Sequence, residues 1–125
     1  MRSVDASVAI DYLRGYEPAG ALVDELLSAG TDMIGSEIVR FELLAGVRDD
    51  DEEAVERFMA AIEWIPVTED IIRLATSFAR SFRAAYSGID ASDYLIAATA
   101  SLLDAPLLTR NVRHFPMIPD LQPPY

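Results

Sequence analysis

The chain has 125 residues, the size of one domain, so a single domain over 1–125 is expected. Its net charge of −11 argues against a broad basic surface for nucleic acid, because phosphate binding needs Lys or Arg to displace counterions. All ten basic residues are arginine, Cys is absent and His114 is the only histidine, which excludes lysine-based catalysis, thiolate chemistry and multi-histidine zinc sites.

Short apolar runs alternate with amphipathic stretches along the chain. In chain order, the predicted elements are a strand over 2–5, helices over 6–14 and 18–30, a strand over 32–35, helices over 36–47 and 49–64, a strand over 64–67, helices over 68–86 and 90–104, and a strand over 106–109. The proline-rich tail is expected to add an edge strand around Met117 and Ile118. This alternation predicts an α/β fold with a short, mostly parallel sheet of four to five strands flanked by helices.

Asp5 closes the first predicted strand, and sites in parallel sheets form beyond the carboxyl ends of the strands. The same position suits the N-cap of the following helix, because an Asp side chain can accept hydrogen bonds from the first free amides. Position alone leaves both interpretations open.

Glu42 lies inside the third predicted helix, between Ile38 one turn before and Ala45 and Gly46 one turn after. These small or apolar neighbours predict that Glu42 faces protein. A buried carboxylate without a partner is costly, so Glu42 is expected to have one. The alternative is a glutamate at the rim of the helix that reaches solvent.

Asp93 gives the sharpest signal, because it opens a helix that has no charged face. The segment 94–103 carries only apolar, small and hydroxyl-bearing residues, so it should be buried on all sides. Several acids that converge at its amino-terminal end would repel one another unless a cation lay between them. Asp90 fits the N-cap, with Asp93 at the third helical position as the other half of a capping box.

The residues after the last predicted strand have simple structural roles. Asn111 suits a helix N-cap or a turn. His114 and Phe115 are expected to be packing residues rather than catalytic groups.

Three carboxylates from separate segments, Asp5, Glu42 and Asp93, can reach the same edge of the sheet. Oxygen ligands without His or Cys suit hard cations such as Mg²⁺ or Mn²⁺. Such ions activate water and stabilise the leaving oxygen in phosphodiester hydrolysis, and they would let an acidic chain hold RNA. We therefore predict a metal-dependent hydrolase in which these acids are metal ligands and catalytic groups, with no small-molecule cofactor.

Four motifs resemble, in order and spacing, those of PIN-domain ribonucleases, specifically the VapC-type toxins of bacterial toxin–antitoxin pairs. They are "SVDAS", "SEIVRFELLAG", "DASDYLIAATA" and "LLTRNVRHFP", and the resemblance runs from about residue 3 to about residue 118. It implies a PIN-like three-layer sandwich, Mg²⁺-dependent cleavage of RNA to leave a 5′-phosphate and a 3′-hydroxyl, and neutralisation by a cognate VapB-like antitoxin. The resemblance favours a homodimer, as does the hydrophobic share of 51%.

The resemblance also assigns roles to individual residues. Asp5, Glu42 and Asp93 fall on the family's three most regular acidic positions. Asn111 stands where many PIN domains carry a fourth acid, and its carbonyl can coordinate a metal or orient water but brings no charge. Thr109 matches a small hydroxyl residue common at that edge and is expected to hydrogen-bond a ligand acid or water.

Charged partners are expected around the same positions. Arg40, Arg110 and Arg113 lie within two residues of the proposed site positions and are candidates for contacting RNA phosphates, with surface salt bridges as an equally good account. The acidic pocket is expected to accept an Arg or Lys of the antitoxin, while an amphipathic antitoxin segment covers apolar surface.

Two other interpretations stay open. The acidic cleft could belong to a binding module that only captures a basic protein partner, which would accord with Asn111 in place of a fourth acid. An aspartyl-phosphate enzyme with Asp5 as nucleophile is disfavoured, because lysine is absent and position 7 is Ser rather than a second acid.

No segment has the pattern of a targeting or membrane signal. The apolar run at the start is broken by Asp5 and Asp11. The longest uncharged run, 94–103, is far shorter than the roughly 20 residues that a helix needs to cross a bilayer. A cytoplasmic protein without membrane association is expected.

Overall fold

Four short parallel strands form the central sheet of the computed structural model, which describes all residues 1–125. The strands are β1 (Arg2–Val4), β2 (Met33–Ser36), β3 (Glu63–Ile65) and β4 (Leu107–Leu108), in the order β3-β2-β1-β4. The helices are α1 (Ala6–Leu13), α2 (Glu17–Ser28), α3 (Glu37–Gly46), α4 (Glu52–Ala60), α5 (Glu69–Phe82) and α6 (Ala91–Leu102), with 3₁₀ turns at Asp49–Asp51 and Val112–His114. The predicted α/β fold with a parallel sheet is confirmed.

Local signals explain where several helices begin and end. Ser36 accepts a hydrogen bond from the amide of Ile38 at 3.1 Å, which caps α3, and Thr68 caps α5 through the amide of Ile71 at 3.3 Å. Gly30 follows α2 with φ of +70°, a conformation that glycine adopts without steric cost. These two caps and this stop are local features of the chain.

The expected edge strand around Met117 and Ile118 does not form, so the sheet has four strands rather than five. Pro116 has no amide hydrogen to offer a neighbouring strand, and the amide of Ile118 donates to the carbonyl of Phe115 in a turn. The Phe115 and Met117 side chains are instead buried in the core.

The third strand also differs from its prediction, because it spans Glu63–Ile65 rather than 64–67. Pro66 follows Ile65 and cannot donate to the ladder with β2, so the pairing ends there. The helix before it is shorter than predicted, since its acidic start forms the 3₁₀ turn Asp49–Asp51.

The direction of the chain across the sheet reverses after β3. The connections β1 to β2 and β2 to β3 move to one side, whereas the connection from β3 passes back beyond β1 to β4. Right-handed crossovers therefore place α1 to α4 on one face and α5 and α6 on the other. The reversal creates a crevice at the carboxyl ends of β1 and β4, which is where ligands bind in open parallel sheets.

Helix α6 is buried on nearly all sides, as its uncharged sequence predicts. Tyr94, Ile96 and Thr99 lie in the interior together with the small residues Ala97, Ala98 and Ala100. The small side chains let α6 pack closely against α5 and against β2. None of the helices has both the length and the apolar character needed to cross a membrane.

We predict that Gly35→Ala destabilises the fold. A Cβ atom at Gly35 would lie 2.6 Å from Cζ3 of Trp64, whose indole nitrogen is fixed by a hydrogen bond to the Met59 carbonyl at 3.1 Å. Overpacking of this kind should lower the free energy of unfolding by about 1–3 kcal/mol, measured by urea denaturation. Gly20→Ala is the matched control, because a Cβ there meets nothing within 4 Å and should raise stability by up to about 1 kcal/mol. Equal stabilities of the two variants would contradict the close packing of Trp64 on Gly35.

Candidate functional site

Asp5 follows β1, and Thr109 follows β4 on the neighbouring strand. Thr109 Oγ1 donates a hydrogen bond of 2.6 Å to Oδ2 of Asp5, across 104 residues of sequence. Both residues are buried, with 5% of Asp5 and none of Thr109 exposed. Asp5 also occupies the N-cap position of α1, but its side chain caps no amide. The geometry therefore turns the carboxylate toward Thr109 in the crevice rather than toward the helix.

Ser7 adds a second hydroxyl to this contact, a role that the sequence reading missed. Ser7 Oγ donates to Oδ2 of Asp5 at 3.1 Å and accepts a hydrogen bond from the amide of Arg110 at 3.1 Å. The amide of Asn111 in turn donates to Thr109 Oγ1 at 3.0 Å. These contacts leave Oδ1 of Asp5 without a donor and open to a ligand. A Ser two residues after an Asp at a strand end is the signal that could have revealed Ser7.

Asp93 opens α6 beside the same edge, with 14% of its side chain exposed. Its Oδ2 accepts a hydrogen bond of 3.0 Å from the amide of Asp90, in the capping box that the sequence predicts. The imidazole Nδ1 of His114 lies 3.4 Å from the same oxygen. His114, which was expected only to pack, therefore faces a candidate ligand.

Glu42 is exposed, so the prediction that it faces protein is wrong. The buried side of α3 consists of Val39 and Leu43, and Glu42 precedes Leu43 by one residue, which turns it about 100° away from that side. The neighbouring Phe41 and Leu44 are exposed as well, with 69% of Phe41 accessible. Of the neighbours that suggested burial, Ala45 and Gly46 are exposed and Ile38 is half-buried, so Glu42 lies at the rim of the helix.

Burial and neighbouring charges raise the pKa values of two acids at this edge, Glu42 and Asp93. Partial burial of its carboxyl group raises the pKa of Glu42, and the charges of Asp5, Asp93 and Asp90 raise it further. Burial also raises the pKa of Asp93, although the Asp90 amide and His114 offset part of that effect. The charge of Asp5 acts on both Glu42 and Asp93, and the expectation that the three acids hold one ion stays a prediction.

The chemistry of this donor set fits a hard divalent cation. The donors are carboxylate oxygens, and a cation between them would relieve the repulsion that raises their pKa. As the side chains are placed, no three Asp, Glu or His residues lie close enough together to hold one ion between them. Asp5 and Asp93 are fixed by hydrogen bonds, whereas the exposed Glu42 side chain is free to turn.

Asn111 is exposed at the start of the second 3₁₀ turn. Its backbone carbonyl accepts a hydrogen bond from the backbone amide of His114 at 2.9 Å, which agrees with the predicted turn role. The side chain forms no cap, so the carboxamide is uncommitted.

Two of the three arginines predicted to contact RNA are held in ion pairs. Arg40 Nε lies 2.6 Å from Oε2 of Glu37, and Arg110 Nη1 contacts both carboxylate oxygens of Asp11 at 3.1 and 2.9 Å. The hydrogen bond to Asp11 raises the pKa of Arg110. Arg113 is exposed and forms no salt bridge within the chain. The salt-bridge account therefore fits Arg40 and Arg110, while Arg113 is a free cation near the site.

The chain is similar to known proteins along its whole length. Residues 3–120 match the PIN domain family. The chain is 54% identical over 125 residues to ribonuclease VapC19 of Mycobacterium tuberculosis, with 100% of both proteins covered. It is 40% identical over 124 residues to ribonuclease VapC10 of the same organism, covering 98% of this chain and 91% of that protein. Among solved structures, a toxin–antitoxin complex from Klebsiella pneumoniae has a TM-score of 0.81 at 24% identity, covering 100% of this chain and 98% of that one.

We predict that Glu42→Gln stabilises the protein at neutral pH when divalent cations are removed. A carboxyl group whose pKa is raised by folding costs stability once the pH rises above that pKa, and Gln cannot ionise. The gain should stay below about 1 kcal/mol, because water screens an exposed carboxylate. It should shrink as the pH falls to about 4, where Glu is largely protonated. Urea denaturation at both pH values measures the gain in the free energy of unfolding, with Glu25→Gln on α2 as control. A loss of stability in Glu42→Gln at neutral pH would contradict the raised pKa of Glu42.

Proposed function

Because the chain belongs to the PIN-domain family, we propose that it is a metal-dependent endoribonuclease that acts as the toxin of a toxin–antitoxin pair. The observation that carries this proposal is the buried carboxylate of Asp5, held by Thr109 where β1 and β4 end. The charges of Asp5 and Asp93 act on Glu42, which supports a shared site for the three acids. Two relatives matched over almost their full length are named ribonucleases, which identifies RNA as the substrate class. The proposed substrate implies that the protein acts in the cytoplasm.

Asp5, Glu42 and Asp93 would hold Mg²⁺ or Mn²⁺. An ion bound there supplies positive charge for the phosphate and lowers the pKa of a water molecule that attacks it. The hydroxyls of Thr109 and Ser7 fix the Asp5 carboxylate through Oδ2 and leave Oδ1 for the ligand. The Asp90 amide orients Asp93 in the same way.

Three further residues border these acids. The free carboxamide of Asn111 can orient a water molecule or contact the substrate through hydrogen bonds, but it adds no charge, so the number of ions stays a prediction. His114 donates toward Asp93 when protonated and restrains its carboxylate. Arg113 is the free cation that can contact a phosphate of the RNA, whereas Arg40 and Arg110 would first have to leave their carboxylate partners.

A cognate VapB-like antitoxin is the proposed protein partner. A cavity of about 300 Å³ opens between α1, α3 and α4, and five apolar side chains line it together with the charged residues Glu42, Asp51, Arg14 and Arg48. It borders exposed Ile10. An amphipathic antitoxin segment would cover this apolar surface while an Arg or Lys reaches the carboxylates. The Klebsiella pneumoniae structure of the same fold is a toxin–antitoxin complex.

A homodimer is proposed as well. Ile72 is exposed on α5 beside a groove between α5 and α6, and the buried hydroxyl of Tyr94, which lines this groove, has no hydrogen-bond partner within the chain. A second copy would cover the apolar side chain and the groove. Chromatographic mass determination of the purified chain would decide between monomer and dimer.

A non-catalytic acidic module that captures a basic protein is the second candidate function. It is favoured by Asn111 in place of a fourth acid and by the absence of three side chains close enough to hold one ion. Such a module would bind the antitoxin but leave RNA intact.

We predict that the purified chain cleaves RNA in Mg²⁺ or Mn²⁺ and not in EDTA, and that Asp5→Asn or Asp93→Asn lowers the rate by more than about 100-fold. Each substitution removes a negative charge from the proposed ligand set while preserving the side-chain shape, and losing a ligand should exceed the 10–100-fold effect of losing its hydrogen-bond partner. The measurement is cleavage of total cellular RNA, resolved by electrophoresis.

Asp24→Asn, on the exposed face of α2, is the matched control and should retain full activity. Calorimetric binding of Mn²⁺ to the same variants separates loss of the metal from loss of the fold. Metal-independent cleavage, or full activity of Asp93→Asn, would refute the proposed site. A folded chain that binds antitoxin but cleaves no RNA would support the binding module.

We predict that Ile10→Glu weakens antitoxin binding by about 100-fold while RNA cleavage persists. Ile10 is exposed in α1 and lines the cavity, so a carboxylate there, added to those of Glu42 and Asp51, should exclude an apolar anchor. Leu27→Glu is the matched control, because Leu27 is an exposed apolar residue on α2 outside this cavity. Equal dissociation constants for the two variants, measured by calorimetry, would place the antitoxin elsewhere.

A further inference from the structure

Arg110 ties the segment after β4 to helix α1. Its Nη1 atom contacts Oδ1 and Oδ2 of Asp11 at 3.1 and 2.9 Å. Asp11 lies one helical turn after Ser7, and Ser7 Oγ accepts a hydrogen bond from the backbone amide of Arg110. The segment 109–111 is therefore fastened along one face of α1 at two places, once through its backbone and once through a side chain.

Tyr125 joins the second of these fastenings. Its hydroxyl donates a hydrogen bond of 2.6 Å to Oδ2 of Asp11, the oxygen that also accepts Arg110. The Tyr125 ring lies 5.8 Å from the ring of Tyr16, and the Arg110 guanidinium lies 5.9 Å from the Tyr16 centroid. We call these four residues, Asp11, Tyr16, Arg110 and Tyr125, the Asp11 clamp.

The hydroxyl of Tyr125 gives this clamp its rigidity. Half of the Arg110 side chain is exposed, and an exposed arginine pair alone is weak because water screens it and a long side chain loses entropy. Asp11 is buried, so it needs more than one donor to be well satisfied. Tyr125 supplies a donor from a ring with few rotatable bonds. Burial, and then the hydrogen bond to Asp11, raise the pKa of Tyr125, so the phenol stays protonated and keeps donating at neutral pH.

We propose that Tyr125 is a positioning residue for the catalytic carboxylate Asp5. It holds Asp11 and Arg110 in place, and through Arg110 it holds the segment whose hydroxyl and amides fix Asp5 and Ser7. Tyr125 touches none of the three proposed metal ligands, so its effect is transmitted through this chain of hydrogen bonds. The proposal rests on the proposed nuclease function for its effect on catalysis, but its effect on the segment is independent of that function.

The first test is amide hydrogen exchange of the full chain, measured by NMR, for Tyr125→Phe. The variant keeps the ring and removes the hydroxyl. Exchange of the Arg110 and Asn111 amides should accelerate about tenfold, the effect of losing one hydrogen bond to a charged group, while amides of α5 and α6 stay unchanged. Tyr86→Phe is the matched control, because Tyr86 is exposed and contacts Phe82 rather than the clamp. Asp11→Asn should reproduce the local acceleration.

The second test is the kinetics of RNA cleavage by the same variants. Tyr125→Phe should lower kcat about fivefold with KM unchanged, since the carboxylate is displaced but the RNA surface is intact. Combining it with Asp11→Asn should add nothing further, because both act through the same contact. If Tyr125 only anchored the C-terminal tail, Tyr125→Phe would lower the melting temperature without lowering kcat at an unchanged KM.

The two tests separate the possible failures. Unchanged exchange at Arg110 and Asn111 in Tyr125→Phe overturns the positioning role, as does acceleration spread evenly over the chain. If the wild-type chain cleaves no RNA, the proposed function fails, and the exchange experiment alone then decides whether the clamp holds the segment. Local acceleration with unchanged kcat overturns the link from the clamp to Asp5.

Discussion

The hydrogen bond from Thr109 to Asp5 is the contact on which the site depends. A buried carboxylate is tolerated only where donors satisfy it, and Ser7 is the residue close in sequence whose hydroxyl donates to Asp5. The other donor arrives on β4, which pairs with β1 in parallel through Ser3 with Leu107 and Val4 with Leu108. The order of the strands therefore decides whether Asp5 receives its second hydroxyl donor, as well as how the sheet is built. If β4 lay at the other edge of the sheet, Asp5 would be buried without Thr109.

Around this bond the fold holds like charges together against their repulsion. Asp93 is fixed at the start of α6, whose close packing through Ala97 and Ala100 limits any movement that would separate the acids. Glu42 stays at the surface, where water screens its charge. The arrangement divides the acids into two that are held and one that can adjust. Repulsion between neighbouring carboxylates that are held within a well-packed scaffold is typical of functional sites.

The fold and part of the site follow from local patterns in the sequence. The caps at Ser36 and Asp90 and the uncharged run of α6 depend on residues a few positions apart, so they can be read from the chain. The exposure of Glu42 could not be read in this way, because apolar neighbours such as Phe41 look the same whether they face the core or the surface. The role of Tyr125 depends on a partner 114 residues away, and no local pattern encodes such a pairing.

The distance of 104 residues between Asp5 and Thr109 also orders events during translation. Ribosomes deliver a chain from its amino terminus at about 5–20 residues per second, so Asp5, Glu42 and Asp93 emerge seconds before Thr109. Until then β1 lacks its neighbour β4, and the nascent polypeptide has no complete site. For a nuclease that cleaves RNA, this delay means that its own messenger has been decoded through codon 109 before any copy made from it can cut. The connectivity of the chain thus sets the order of assembly, since Asp5 gains its Thr109 donor only after all three acids have been made.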